Sequence, residues 1–265
     1  MNTYIVFATI CFTHHNESNL KKPLINVRKQ VEDSTKIGLN IAILSYCTYN
    51  NYFCDVSRCN HQRYANKFNY TYINPYADSD EYHLSKFLLH GTRYKTYSII
   101  KHMKRFKWIL WIDSDALFIN FQVSIEHWIH EAKRKDAKII VARDLPGYPF
   151  NAGVMLIRSD KWSKHFFKRA IPEIIQRQVT HSSQDQPVFF EFLRKNQYDE
   201  KQKILIIQQR SRFQAFIKMR ELSKISWIVH LTCCKQDQCD MSLYDNLCTA
   251  NCTNFKCMAM SVGKC

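Results

Sequence analysis

The hydrophobic and polar positions of this chain form short apolar runs, separated by segments whose apolar residues recur at helical spacing. The apolar runs predict strands over residues 40–47, 69–73, 108–112, 137–141, 154–158, 203–207 and 227–231. The helical spacing predicts helices over residues 60–67, 92–106, 123–135, 161–172 and 187–193. Strands that alternate with helices are typical of an α/β domain with one mostly parallel or mixed central sheet flanked by helices.

The run Trp108–Ile112 is the most informative segment, because it ends directly at Asp113-Ser114-Asp115. Such a run is typical of a buried strand, and ligands of open α/β sheets bind beyond the carboxyl ends of their strands. Two carboxylates there are suitable ligands for Mn²⁺ or Mg²⁺, and such a cation neutralises a bound diphosphate. For the tripeptide alone, a solvated turn whose side chains bond backbone amides is the simpler interpretation.

Loop and cap residues set the predicted ends of several elements. The polar stretch 48–59 is predicted to be a loop after the first strand. Asp160 is placed to cap a helix that ends near Pro172, because proline is a poor interior helix residue. Pro187 suits the first turn of the next helix.

Composition narrows the classes of function. The chain has 265 residues, 46% of them hydrophobic, which is enough for one substantial core. Lys and Arg number 38 against 23 acids, a formal net charge of +15, so anions such as diphosphates, anionic glycans, nucleic acids or a membrane surface are the favoured partners. The basic residues are scattered, without a Lys/Arg run or an aromatic RNA-binding signature, and we therefore expect no nucleic-acid partner.

Cysteine usage indicates the compartment. Of eleven cysteines, seven lie between Cys233 and Cys265, a density typical of an oxidising lumen. We expect disulfides rather than zinc in this tail, because its spacings lack the paired Cys-x₂-Cys pattern. Cys54 and Cys59 can pair with each other or with Cys47. Glycosylation sequons, which also fit the secretory pathway, begin at Asn16, Asn69 and Asn251.

The ends of the chain are predicted to lie outside the main fold. Residues 4–12 form an apolar stretch long enough for a signal peptide but shorter than the roughly 20 residues that span a bilayer. We therefore expect a signal peptide or short membrane anchor over residues 1–15 and a stem over 16–37. The main domain then covers residues 38–235, and a disulfide-rich tail covers 236–265.

Five motifs in order give the chain a resemblance to a known family. They are Arg93-Tyr94-Lys95, the stretch Trp108–Asn120, the stretch Phe150–Trp162, Asp185-Gln186, and Val229-His230-Leu231-Thr232-Cys233-Cys234-Lys235. Together they resemble the Golgi glycosyltransferases that include yeast-type α-galactosyltransferases, α-mannosyltransferase complex subunits and plant xyloglucan xylosyltransferases (family 34). The resemblance implies a GT-A-like fold, a UDP- or GDP-sugar donor, Mn²⁺, a glycan or glycoprotein acceptor, and transfer with retention of anomeric configuration.

The resemblance also implies a role for individual residues. It implies a metal held by Asp113, Asp115 and His230, donor contacts from Lys95, Ser114, Asn151, Gly153 and Lys235, and catalytic roles for Asp185 and Gln186. Each has a structural alternative. His230 can be a hydrogen-bonded strand residue, Lys95 and Lys235 can be solvated, Asn151 and Gly153 can form the bend before a strand, and Asp185 can cap a helix.

The chain departs from the family pattern at two places. The family typically has His-Phe-x-Gly-Cys, whereas here Cys233 takes the glycine position, and Gln184-Asp185-Gln186 carries one acid where two are common. The leading hypothesis is thus a lumenal, Mn²⁺-dependent glycosyltransferase of the Golgi, or a secreted one. The alternatives are a catalytically inactive partner subunit of a glycosyltransferase complex and a secreted polyanion- or glycan-binding protein.

Overall fold

The computed structural model describes residues 40–47, 52–74, 91–144, 148–177, 185–216, 223 and 225–231, all within one compact unit, Asn40–Cys265. The predicted alternation of strands and helices is confirmed in these residues. The predicted signal peptide or anchor, the stem and the disulfide-rich tail lie outside the described residues, and so does Lys235. No helix among the described residues is long and apolar enough to cross a membrane.

The strands form two sheets. Their bounds are β1 Ile41–Leu44, β2 Thr71–Ile73, β3 Trp108–Ile112, β4 Ala116–Phe118, β5 Ile139–Ala142, β6 Asn151–Arg158, β7 Ile204–Ile207, β8 Gln214–Phe216 and β9 Ile228–His230. The central sheet has six strands in the order β2-β1-β3-β6-β5-β7. All of its pairings are parallel except those of β6, which runs antiparallel to β3 and β5. The sheet is therefore mixed, as the apolar runs predicted.

A second sheet of three strands, in the order β4-β9-β8, was not predicted. In it, β4 pairs antiparallel with β9, and Ala116 lies opposite His230. β8 runs parallel to β9 on the other side, with Phe216 opposite His230. β4 and β8 have three residues each, too short for their apolar pattern to distinguish a strand from a loop.

The helices lie at α1 Tyr52–Phe68, α2 Gly91–His102, α3 Ile125–Arg134, α4 Lys161–Arg177, α5 Asp185–Lys195, α6 Glu200–Lys203 and α7 Arg210–Phe213. The loop predicted for residues 48–59 is wrong from Tyr52 onward, because α1 begins there. A disulfide between Cys47 and Cys54, with a Cα–Cα distance of 5.8 Å, joins the first turn of α1 to the end of β1. Cys54 and Val56 are buried on this early part of the helix.

The predicted end of α4 near Pro172 is also wrong. Asp160 caps this helix as expected, since its Oδ1 accepts a hydrogen bond of 2.9 Å from the Ser163 backbone N–H. The helix then passes through Pro172 and ends at Arg177. Pro172 lies on the exposed side, where water can bond the carbonyl that lost its partner, while Ile174 is buried in the core beyond it. Packing of the last turn thus outweighs the local cost of proline.

Side chains of α1 hold the outer edge of β4. The Asn60 amide donates to the Phe118 carbonyl at 2.9 Å and accepts from the Phe118 N–H at 2.8 Å, as a neighbouring strand would. His61 Nε2 donates to the Ala116 carbonyl at 2.7 Å. These bonds satisfy backbone groups of a short strand that is paired on its other side with β9, and they fix the strand that directly follows Asp115.

Candidate functional site

Asp113, Asp115 and His230 come together where the two sheets meet. One potential ligand atom from each lies within 4.8 Å of the others, the only such group among the described residues. Asp113 follows β3, and its N–H donates to the Gly153 carbonyl of β6 at 2.8 Å. Asp115 precedes β4, and its carbonyl accepts from the Leu231 N–H beyond β9 at 2.9 Å. Backbone bonds from both sheets therefore hold the cluster.

The His230 ring is held on both nitrogens. Its Nε2 lies 3.0 Å from Asp115 Oδ1, and the Gln214 amide of β8 donates to its Nδ1. The ring is buried, whereas the Asp115 side chain is 47% exposed. Burial lowers the pKa of His230, but the Asp115 and Asp113 carboxylates together outweigh it, and the pKa is raised. Burial raises the pKa of Asp115, but His230, a backbone hydrogen bond and Lys95 together outweigh it, and the pKa is lowered.

Gln214 allows a test of whether this cluster suits a cation. A ligating histidine usually donates its other ring N–H to an acceptor, which leaves a lone pair for the metal. Gln214 Oε1 is buried, and no described residue gives it a hydrogen bond. Rotation of this amide by half a turn would let Oε1 accept from Nδ1–H and leave the Nε2 lone pair for a cation. The rotation would give up the bond of 2.8 Å that Gln214 Nε2 donates to Asn151 Oδ1, so Asn151 would have to shift with it. Two carboxylates and one imidazole are then a donor set compatible with Mn²⁺.

Gly153 makes room for the His230 ring. A Cβ at this position would lie 2.2 Å from His230 Cε1 and 2.8 Å from Nδ1, closer than atoms can approach. β6 bulges here, because Val141 pairs with Met155 while Ala142 pairs with Asn151. The predicted bend before a strand is therefore wrong, since Asn151 and Gly153 lie inside β6. The glycine is needed for space against the imidazole.

Lys95 of α2 is buried beside the cluster. Its Nζ lies 3.2 Å from Asp113 Oδ1, 2.8 Å from Asp185 Oδ2 and 3.1 Å from the Ala152 carbonyl. Burial lowers the pKa of Lys95, but the two carboxylates outweigh it, and the pKa is raised. The alternative of a solvated Lys95 is thus wrong. Its three N–H donors already have acceptors, so its charge orients Asp113 and Asp185.

The Asp113 carboxylate is held by two donors at one oxygen. Besides Lys95, the Trp111 indole N–H donates to its Oδ1 at 2.6 Å. Partial burial raises the pKa of Asp113; Lys95 opposes this rise, and the neighbouring Asp115 carboxylate adds to it. A cation placed between the two aspartates would relieve their repulsion.

Asp185 and Gln186 begin α5 and point to different partners. The Asp185 side chain pairs with Lys95. Gln186 Oε1 accepts from the Ala152 N–H at 2.8 Å, and its Nε2 donates to Asp144 Oδ2 at 2.8 Å. Asp144 also accepts from the Asn151 amide at 3.4 Å. The half-buried Gln186 and the buried Asn151 and Asp144 therefore form one polar network next to the cluster.

The structure brings together nine of the ten residues singled out in the sequence, all except Lys235, which lies outside the described residues. Ser114 lies half-buried in the turn between the two aspartates. Their functional roles stay predictions. Two residues were missed, Gln214 and Asp144. Asp144 follows β5 much as Asp113 follows β3, and that position was a usable signal, whereas nothing local marks Gln214.

Comparisons with known proteins give a family and a fold. A sequence model of the nucleotide-diphospho-sugar transferase family matches residues 66–241. Among solved structures, the chain is similar to a glycosyltransferase involved in the glycosylation of the major capsid of PBCV-1, with a TM-score of 0.59 and 14% identity over 78% of this chain and 98% of that chain. It also has a likeness to mouse xyloside xylosyltransferase 1 in its apo form, with a TM-score of 0.45 and 11% identity over 73% of this chain and 97% of that chain. The first likeness confirms the predicted GT-A-like fold class. No curated protein gives a significant match.

Proposed function

The chain belongs to the nucleotide-diphospho-sugar transferase family, and from this premise we propose which transfer this glycosyltransferase performs. It moves a hexose or pentose from a UDP- or GDP-sugar to a glycan or glycoprotein acceptor, with retention of anomeric configuration and with Mn²⁺. The observation that carries the proposal is the group Asp113, Asp115 and His230, whose ligand atoms lie within 4.8 Å of one another.

Three side chains would hold the cation. Asp113 and Asp115 supply carboxylates, and His230 supplies an imidazole that Gly153 and Gln214 keep in place. When bound, Mn²⁺ neutralises the diphosphate and stabilises it as a leaving group. Ser114 lies between the two aspartates, where the donor would contact it. Lys235, five residues after β9 in the chain, is the proposed contact for the diphosphate.

The remaining polar groups would act at the sugar. Asp185 and Gln186 are the proposed catalytic residues, with Asn151, Gly153 and Lys95 placed around them. Lys95 holds Asp185 in an ion pair, and Gln186 is fixed by Ala152 and Asp144. An inverting transferase needs a carboxylate that takes the acceptor proton. Of the two carboxylates next to Gln186 in the described part of the chain, Asp185 is paired with a buried cation and Asp144 accepts bonds from two amides, and on this ground we propose retention.

The proposed compartment is the lumen of the secretory pathway, most simply the Golgi. The Cys47–Cys54 disulfide supports it, since such bonds persist in oxidising compartments. Residues 1–15 are proposed to target the chain there or to tether it to the membrane.

A donor screen tests the function. Purified protein is incubated with UDP- and GDP-linked hexoses and pentoses, with Mn²⁺ or with EDTA, and release of nucleoside diphosphate is measured. We expect Mn²⁺-dependent hydrolysis of at least one donor. Asp113→Asn together with Asp115→Asn should abolish it while the circular dichroism spectrum is kept, because the cation needs the charge of the pair. A double variant that still binds and hydrolyses donor as the unmodified protein does would refute the metal site.

The configuration of the product tests retention separately. With the donor and acceptor found in that screen, the anomeric proton of the newly transferred sugar is observed by NMR. We expect the same anomeric configuration as in the donor, and the opposite configuration would contradict the proposal.

A further inference from the structure

Tyr148 is the most exposed large hydrophobic side chain among the described residues, with 54% of its surface accessible. A single exposed aromatic residue is ordinary on a protein surface. This ring differs because it is supported from the core. Its centroid lies 5.5 Å from that of Phe190, and Phe190 in turn packs edge-on against the buried Phe150 at 5.1 Å. The stack leads from the core to a fixed, exposed ring face.

The aromatic stack of Tyr148, Phe190 and Phe150 lies next to the residues of the proposed transfer site. Phe190 lies one helical turn after Gln186 on the same face of α5, and side chains at that spacing are neighbours. Tyr148 lies between Asp144 and Asn151 in the chain, and Gln186 and Asn151 both bond to the Asp144 carboxylate. The Tyr148 ring therefore stands at the rim of the polar network that contains the proposed catalytic Gln186.

A series of contacts leads from the cation ligands toward Tyr148. His230 packs against Gly153, the neighbouring Ala152 bonds to Gln186, and Phe190, one helical turn after Gln186, packs against the Tyr148 ring. A diphosphate held by the cation would occupy the first part of this path, with the reacting sugar near Gln186. What lies next along the path is the molecule that receives the sugar.

We infer that Tyr148, supported by Phe190, is a stacking platform for a pyranose ring of the acceptor glycan. A pyranose has one face of C–H groups and an edge of hydroxyl groups. An exposed aromatic face attracts the C–H groups, because its π-electrons carry partial negative charge. The half-buried Gln186, whose Nε2 carries a second N–H besides the one bonded to Asp144, is a hydrogen-bond donor for the hydroxyl edge. This inference rests on the proposed function and concerns its acceptor.

The test compares Tyr148→Ala with Tyr148→Phe and with a matched control, Tyr198→Ala. Tyr198 is 45% exposed and follows α5 at its far end, away from Gln186. The probes are methyl glycosides of xylose, glucose, galactose and mannose and their disaccharides. Transfer is measured with the donor that the screen identifies, and saturation-transfer NMR reports contact between protein and glycoside without any turnover.

We expect Tyr148→Ala to raise the acceptor KM by about threefold to tenfold, the usual worth of one aromatic contact, with donor hydrolysis and donor KM unchanged. Tyr148→Phe keeps the ring and should behave as the unmodified protein, as should Tyr198→Ala. The NMR signal on the glycoside C–H protons should fall only in Tyr148→Ala.

Three results would overturn the inference: no saturation transfer to any glycoside from the unmodified protein, a rise in donor KM instead of acceptor KM, or equal effects of Tyr148→Ala and Tyr198→Ala. Failure of the proposed function is recognised separately, because the unmodified protein would then show no Mn²⁺-dependent donor hydrolysis.

Discussion

Replacement of Gly153 by alanine is the sharpest test of how the two sheets build one site. The added Cβ would lie 2.2 Å from His230 Cε1, whereas ordinary contact begins near 3.4 Å, so the ring must move by about 1.2 Å. No left-handed backbone conformation is involved, and the effect is purely steric. Because His230 Nε2 lies only 3.0 Å from Asp115, a shift of this size removes it from a shared cation. Metal–ligand distances tolerate only about 0.2 Å.

We therefore expect Gly153→Ala to weaken apparent Mn²⁺ affinity about tenfold to a hundredfold, as perturbation of one held ligand does. Overpacking should also lower the free energy of unfolding by about 1–3 kcal/mol. Mn²⁺ affinity is measured by calorimetry with the nucleoside diphosphate present, and stability by urea unfolding without metal.

The double variant Gly153→Ala with His230→Ala is the matched control. Removal of the ring removes the two contacts with His230 and leaves only the contact of 2.9 Å with Asn151 Oδ1. Gly153→Ala should therefore cost less stability in the His230→Ala background than in the unmodified protein, while metal affinity stays low in both variants that lack the ring. The two substitutions thus couple in stability, which a double-mutant cycle measures. Unchanged Mn²⁺ affinity and unchanged stability in Gly153→Ala would refute the steric argument.

Three further predictions concern charges around the site. Lys95→Met should lower the free energy of unfolding, measured in urea, by about 3–5 kcal/mol, because it leaves the buried Asp185 carboxylate without its cation. Addition of Asp185→Asn should recover part of the lost free energy. No recovery in the double variant would contradict the pairing. Burial lowers the pKa of His61 from 6.5 to about 4, so the unfolded chain binds one more proton between those values. The free energy of unfolding should therefore fall by roughly 3 kcal/mol as the pH drops from 6.5 to 4. His61→Gln can keep the bond to Ala116 and should lack this pH-dependent fall. Equal dependence of unfolding free energy on pH in both proteins would refute the assignment to His61. Lys235→Ala should lower kcat about tenfold to a thousandfold with Mn²⁺ affinity nearly unchanged. His230→Ala, in contrast, should weaken Mn²⁺ affinity. A Lys235→Ala effect confined to metal binding would contradict this separation of roles.

The sequence by itself determined which segments form the strands of the central sheet and most of the helices between them. Trp108–Ile112 is a strand because five apolar side chains in a row can be buried on both faces of a sheet, and that property is local. The turn Asp113-Ser114-Asp115 at its end was also readable, because polar residues directly after a buried strand lie at the ligand-binding edge. Local patterns failed where packing outweighed them, as at Pro172, and where elements were too short, as in β4 and β8.

Only the tertiary structure decided how the site is assembled. His230 lies 115 residues from Asp115 in the chain, and nothing in either segment states that β9 pairs with β4. The same holds for Lys95, for which the sequence left a donor contact and a solvated side chain open, and which α2 places between two carboxylates. Gly153 shows most clearly that the reason for a residue can lie in a distant part of the chain. Its residue type suggested freedom of the backbone, but the physical reason for glycine is an imidazole from another sheet that leaves no space for a Cβ.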